Sequence, residues 1–158
     1  MKVHSKLSKE QLDRTESAGY LTNWAARLYA RAVDRELRPL GLSSAHLPVF
    51  FALADGAELA QKNLAEVAAV EQPTMAATLA RMERDGLVER RPHPDDRRSS
   101  LVRLTSRATA KAEEVRSAIG RVNAASLSAL SDQERESYRD MMLRVIASLE
   151  TAVAGGGN

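Results

Sequence analysis

Ala18, Leu21, Ala25, Leu28 and Ala32 recur at alternating spacings of three and four, and the same step returns in Ala108, Ala112, Val115, Ile119 and Val122. That rhythm specifies helices and narrows their apolar sides to seams of the coiled-coil type. A lobe of about 90 residues cannot bury both ends of two such helices alone, so the seams predict a second copy of the chain as cover. Simple cover for the core of a monomer is the other use such helices have. Hydrophobic residues make up 44% of the chain and aromatic residues 4%, so the core must be mostly Leu, Val, Ala and Met. Such a core suits helices packed on helices better than a β-sandwich.

Between the seams the chain is punctuated. Pro39 and Gly41 stop the first helix, and Ser43 or Ser44 can cap a second one carrying AHLPVFFALAD, which Asp55-Gly56 ends. A short helix, QKNLAEVAAV, follows, then a break at Glu71-Gln72-Pro73. Pro73 fits a first helical position, where its missing N–H costs nothing, and Gly86 stops the helix that it opens. Two β-like runs, LVERR (87–91) and SLVRLT (100–105), flank the polar stretch PHPDDRRS and predict a hairpin with an extended tip. Thr105 can cap a long helix, and Ser131 with Glu134 forms a capping box before a final one.

The helix opened by Pro73 has two unlike faces. Met75, Leu79 and Met82 form an apolar stripe, whereas Thr74, Ala77, Arg81 and Arg84 lie opposite, with Thr78 at the edge. A face that is small at its N-terminal end and basic further on suits a major groove, where small residues permit close approach and guanidiniums meet bases and phosphates. An ordinary solvated helix face is the plainer reading of the same residues. The hairpin behind it tips the balance. Arg90, Arg91, His93, Arg97 and Arg98 crowd into nine residues, and arginine is the side chain that a narrow minor groove attracts. Asp96 would be repelled by phosphate, so it is expected to orient Arg98 or Arg97 through a carboxylate–guanidinium pair.

The run DDRRSSLVRLT (95–105), following LARMERDGLVERRPHP (79–94), resembles the wing signature of MarR-type (multiple antibiotic resistance) regulators. The resemblance extends from the first helix to the capping-box helix. It implies a mainly α fold with a small β-hairpin wing: a winged helix-turn-helix lobe plus N- and C-terminal helical dimerisation regions. Residues 1–13 would then be a flexible arm, 14–40 and 105–154 the dimerisation region, and 41–104 the DNA-binding lobe. It further implies a homodimer on a pseudo-palindromic double-stranded operator, commonly a repressor. The recognition helix 73–85 would lie in the major groove and the wing 90–100 in the minor groove. By position, Gln72, Thr74, Ala77, Thr78 and Arg81 would face DNA, Arg98 would be the wing-tip arginine, and Asp96 its orienting partner. Release by a small aromatic or phenolic effector, bound between dimer helices and DNA-binding lobe, is also implied. Two positions depart from the pattern: Ala60 stands where a capping hydroxyl often precedes the short helix, and Ala108 where glycine is frequent.

Tyr20, Trp24, His46 and Phe50 fall near the expected junction of the first two helices and are the candidate pocket for a flat aromatic ligand, although each also serves as core or interface filler. Arg27 or Arg31 could pair a ligand anion. The chain has no cysteine, and His4, His46 and His93 lack metal-ligand spacing, so neither a metal nor another cofactor is expected. With no glycine-rich phosphate loop and no nucleophile motif, the chain does not read as an enzyme. No apolar run approaches a membrane span and the start is too polar for a signal peptide, so a cytoplasmic protein is expected. A dimeric interaction module that has lost DNA binding is the alternative from another class; it would have no reason to keep both a basic wing and a basic helix face.

Overall fold

The computed structural model describes residues 14–96 and 98–155; the expected arm (1–13) and Arg97 lie outside them. The chain divides into two compact units, the first ending at Ile119 and the second beginning at Gly120.

In the first unit, α1 spans Ala18–Leu37, opened by Ser17, whose hydroxyl accepts from the Tyr20 N–H. A 3-10 turn, Arg38–Leu40, closes on Gly41 at φ 71°, a left-handed conformation that glycine adopts without strain. The Leu42 N–H returns to the Leu37 carbonyl at 3.2 Å, and both leucines are buried. The expected second helix is broken into a 3-10 turn, Ser44–His46, and a short α2, Leu47–Ala52, with Pro48 in its first turn. It stops early because Asp55 takes a left-handed φ of 57° ahead of Gly56.

A two-residue strand, β1 (Leu59–Ala60), leads into α3 (Gln61–Val67). No side chain caps α3 at Ala60. Instead Leu59 pairs with Val102 and Ala60 with Leu101, so sheet pairing anchors the helix start that a hydroxyl would otherwise hold. The α4 helix spans Gln72–Arg84 with Pro73 in its first turn. Then β2 (Val88–Pro92) and β3 (Ser100–Leu104) form the hairpin, from Val88 opposite Leu104 to Pro92 opposite Ser100. The sheet is antiparallel, in the order β1-β3-β2. The hairpin forms as expected, and β1 adds a third strand to it.

Thr105 caps as expected, accepting from the Ala108 N–H at 3.2 Å, but the helix behind it is interrupted. A single turn, α5 (Ser106–Thr109), precedes α6 (Ala112–Ser126), which runs across the boundary between the units. In the second unit, α7 spans Asp132–Gly155 and buries none of its residues. Its first turn has the expected capping box: the Ser131 N–H donates to Glu134 Oε2 at 2.8 Å, and the Glu134 N–H donates to Ser131 Oγ at 3.4 Å.

The core of the first unit gathers Leu37, Val49, Leu53, Leu64, Leu79, Met82 and Val102, all essentially inaccessible to solvent. Leu79 occupies the middle of the α4 stripe, so truncating it opens a cavity beneath the exposed face. Leu79→Ala is expected to lower unfolding stability by about 2–5 kcal/mol, read from urea midpoints at one protein concentration. A loss below about 1 kcal/mol would mean that α4 is not seated on this core.

Candidate nucleic-acid interface

The geometry of α4 divides as its sequence predicts, with one exception. Met75, Leu79 and Met82 are buried, while Gln72, Thr74, Ala77, Arg81 and Arg84 are exposed on the same helix. Thr78, expected at the edge of the exposed face, is only 6% exposed. At 100° per residue it lies closer to the buried stripe than Thr74 does, and the packing of the core takes it in.

The hairpin tip is built by Asp96. Its Oδ1 accepts the Arg98 backbone N–H at 2.9 Å, and its carbonyl accepts from the Ser99 N–H at 3.0 Å. His93 closes the other side: its N–H donates to the Ser99 carbonyl and its Nδ1 accepts from the Asp95 N–H, both at 3.1 Å. The expected carboxylate–guanidinium pair is therefore corrected for Arg98. Asp96 sets the backbone from which Arg98 projects, because a carboxylate two residues back reaches the main-chain N–H of a tight turn most directly. Arg98 itself is exposed at the tip.

The arginines at the hairpin base are held by acids, which the sequence did not reveal. Arg90 Nε lies 3.4 Å from Glu83 of α4, and its Nη2 donates to Gln61 of α3 at 3.3 Å. Arg91 donates through Nε to Glu58 Oε2 at 2.6 Å and pairs again through Nη2. Arg103 Nε meets Glu89 at 2.7 Å and its Nη1 reaches Glu58 at 3.7 Å. The Arg91 hydrogen bond, joined by the charges of Arg91 and Arg103, holds the Glu58 carboxyl below the usual range against the opposing effect of desolvation. These pairs tie β1, α3 and α4 to the hairpin and leave the tip and the exposed α4 face as the basic surface on offer.

Tyr20 and Trp24 pack edge to face on α1, ring centroids 6.2 Å apart, and the Arg14 guanidinium lies 4.7 Å from the Trp24 ring centroid. Phe50 is buried in the core. His46 is half-buried, and its Nδ1 accepts the Ser43 N–H at 3.2 Å. A cavity of about 400 Å³ is lined by Leu40, Gly41, Arg84, Asp85, Leu87, Arg107 and Lys111, so none of Tyr20, Trp24, His46 or Phe50 lines it. Among the described residues no cluster of three or more His, Asp or Glu side chains has a geometry that could hold a metal ion. No described helix is long and apolar enough to cross a membrane.

A model of the MarR family matches residues 40–99. The chain is 33% identical over 116 residues to YwoH, an HTH-type transcriptional regulator of Bacillus subtilis (strain 168), covering 73% of this chain and 84% of that protein. The structure is similar to a probable transcriptional regulator from Pseudomonas aeruginosa, with 26% identity and a TM-score of 0.77, covering 84% of this chain and 99% of that one. It is also similar to a mutant MarR from E. coli in complex with operator DNA, with 25% identity and a TM-score of 0.74, covering 80% of this chain and 91% of that one.

The imidazole of His46 belongs to the turn Ser44–His46, which packs against α4. Burial and then the charge of Arg81 push its pKa below the ordinary 6.5, against the opposing pull of Asp85 on α4 and Asp34 on α1. A depressed histidine pKa means that the unfolded chain takes up the proton first. The neutral ring's contribution is therefore present above about pH 6.5 and is lost as pH falls from there toward the native value. Urea midpoints should drop between about pH 7.5 and pH 5.5, and the drop should shrink in His46→Asn, whose amide oxygen can still accept the Ser43 N–H without titrating. An equal drop in both proteins would remove His46 as the cause.

Proposed function

The chain belongs to the MarR family of winged helix-turn-helix transcriptional regulators, and from that premise we propose that it is a ligand-responsive repressor that binds a pseudo-palindromic operator as a homodimer. The observation that carries this reading is the pairing of an exposed α4 face, Gln72, Thr74, Ala77, Arg81 and Arg84, with an exposed Arg98 on a tip whose backbone is fixed by Asp96. The α4 residues meet the major groove, and Arg98, with Arg97 beside it in sequence, enters the minor groove. The likeness to an operator-bound MarR supports that docking. Residues 41–104 act as the DNA-binding lobe, and 14–40 with 105–154 as the dimerisation region. The protein works in the cytoplasm, and its activity is regulatory, not enzymatic.

Dimerisation is supported by apolar residues left uncovered. Leu21 and Leu28 of the α1 seam are 40% and 47% exposed, and on α7 Met141, Leu143, Val145, Ile146, Leu149 and Val153 are all exposed. A helix with this much bare apolar surface calls for a partner. Light scattering at low micromolar concentration should give twice the chain mass of 17.3 kDa; a mass of one chain would end the dimer reading.

The DNA reading is tested by fluorescence anisotropy on the DNA upstream of the chain's own gene. Affinity should fall roughly a thousandfold or more between about 50 and 200 mM salt. Arg98→Ala should cost about 1–3 kcal/mol of binding while changing stability by less than about 0.5 kcal/mol. Asp96→Ala should act in the same direction but less, and Arg81→Ala should alter base preference. Aromatic acids or phenols, added to the same assay with Trp24 fluorescence followed in parallel, should weaken the complex; no response from a broad panel would reject that effector class. Undiminished affinity in both arginine variants would instead favour a winged-helix interaction module.

A further inference from the structure

The cavity at the C-terminal end of α4 is built unlike the aromatic sites of a hydrophobic effector. Three cations face it, each from a different part of the chain: Arg84 from the last residue of α4, Arg107 from α5, and Lys111 from the junction of α5 and α6. Against them stands one carboxylate, Asp85, so three positive charges and one negative leave the lining at a formal +2. The Arg84 Nε pairs with Asp85 Oδ1 at 3.1 Å. The other two are held by neutral carbonyls: Arg107 Nη1 donates to the Asp85 carbonyl at 3.3 Å, and Lys111 Nζ to the Leu40 carbonyl at 2.9 Å. Each of these contacts employs one donor of a group that has three or five, and a carbonyl orients a cation without neutralising it. Backbone forms part of the lining at Gly41. A side chain at Gly41 would meet nothing within 4 Å, and at Gly86 the nearest neighbour would be Arg107 Nη1 at 3.6 Å.

We propose that this cavity is a binding site for a compact dianion, a small phosphate ester or dicarboxylate, held between Arg84, Arg107 and Lys111. Its volume of about 400 Å³ accommodates a small metabolite, and its lining gives charge-assisted donors on several sides with Leu40 and Leu87 as the apolar wall. The site also reaches the exposed α4 face, because Arg84 belongs to both. A dianion that engages Arg84 withdraws a cation from DNA, and linkage requires DNA to weaken the dianion by the same factor. This regulatory consequence rests on the DNA-binding reading above; the binding of the anion does not.

The test uses the full chain, with inorganic phosphate and succinate as separate probes, titrated at constant ionic strength against chloride and followed by backbone amide shifts in two-dimensional NMR. The expected result is saturable shifts at Gly41, Gly86 and Leu87 with one or both probes; the tighter of the two identifies the natural class. Arg107→Gln and Lys111→Gln should each weaken binding by about tenfold or more. Both residues also hold backbone carbonyls, so two further variants guard against loss of fold. Lys111→Arg keeps the charge and should keep binding, whereas Arg84→Gln alters a side chain that is 71% exposed and should weaken binding in a folded protein. Shifts that do not saturate, that chloride reproduces, or that survive all three charge removals overturn the site. Saturable binding that leaves operator affinity unchanged at matched ionic strength overturns the regulatory coupling alone, and absence of operator binding in any condition overturns the DNA reading while leaving the anion site standing.

Discussion

The relation between α4 and the wing hangs on one turn. Gly86 takes φ +69°, so the Leu87 N–H can return to the Met82 carbonyl at 2.8 Å and the chain leaves the helix directly into β2. Met82 and Leu87 are both buried on either side of that turn, which seats it in the core. Thr105, at the far end of the hairpin, then stitches it shut: its Oγ1 donates to the Gly86 carbonyl at 2.7 Å and its N–H to the Leu87 carbonyl at 3.0 Å. A side chain at position 86 would meet little in space, but the backbone conformation itself is one that L-residues resist. The exit of the recognition-type helix, both ends of the hairpin and the start of α5 are thereby one mechanical piece.

Charge within that piece is distributed by position. The hairpin base carries Arg90, Arg91 and Arg103, and each meets an acid: Glu83, Glu58 and Glu89 respectively. Solvent screens exposed pairs of this kind, so holding the fold is a minor part of what they do. Their geometric effect is larger, since Glu58 precedes β1 and Glu83 lies on α4, and both are pinned to the same hairpin. A formal net charge of +2 for the whole chain conceals this sorting, in which acid-paired arginines position the hairpin while Arg98 stays exposed at the tip and Arg81 on α4.

Sequence reasoning found what is encoded locally. Pro73 and Gly86 bracket α4, Ser131 and Glu134 cap α7, and the two β-like runs became β2 and β3, because each of these signals lies within a few residues of its effect. The residues of the α4 face followed from helical period alone, except Thr78, whose burial depends on what packs beside it. β1 escaped because two residues carry no periodicity, and its pairing partner lies some forty positions away. The Glu58–Arg91 pair escaped for the same reason: across 33 residues, no local pattern selects one carboxylate from its neighbours. For Asp96 the spacing suggests a guanidinium partner in Arg98 or Arg97, because spacing alone does not distinguish a side-chain partner from the nearer backbone N–H. The break between α5 and α6 was likewise invisible, and the contact of Lys111 beside it with the Leu40 carbonyl spans 71 residues.

A protomer locked in this way leaves few means of regulating DNA contact. Turning α4 relative to the wing would break the Gly86 and Thr105 bonds together and expose Met82 and Leu87, a cost that a small ligand's differential affinity of a few kcal/mol does not meet. Two routes remain open. In the proposed dimer, one is the spacing between the two lobes, which can change without disturbing either lobe. The other is the charge of side chains at the rim of α4, where Arg84 is exposed and lines a cationic cavity. The second route, as proposed, needs no movement of the backbone and would act on a rigid lobe through the same cations that a phosphate backbone would engage.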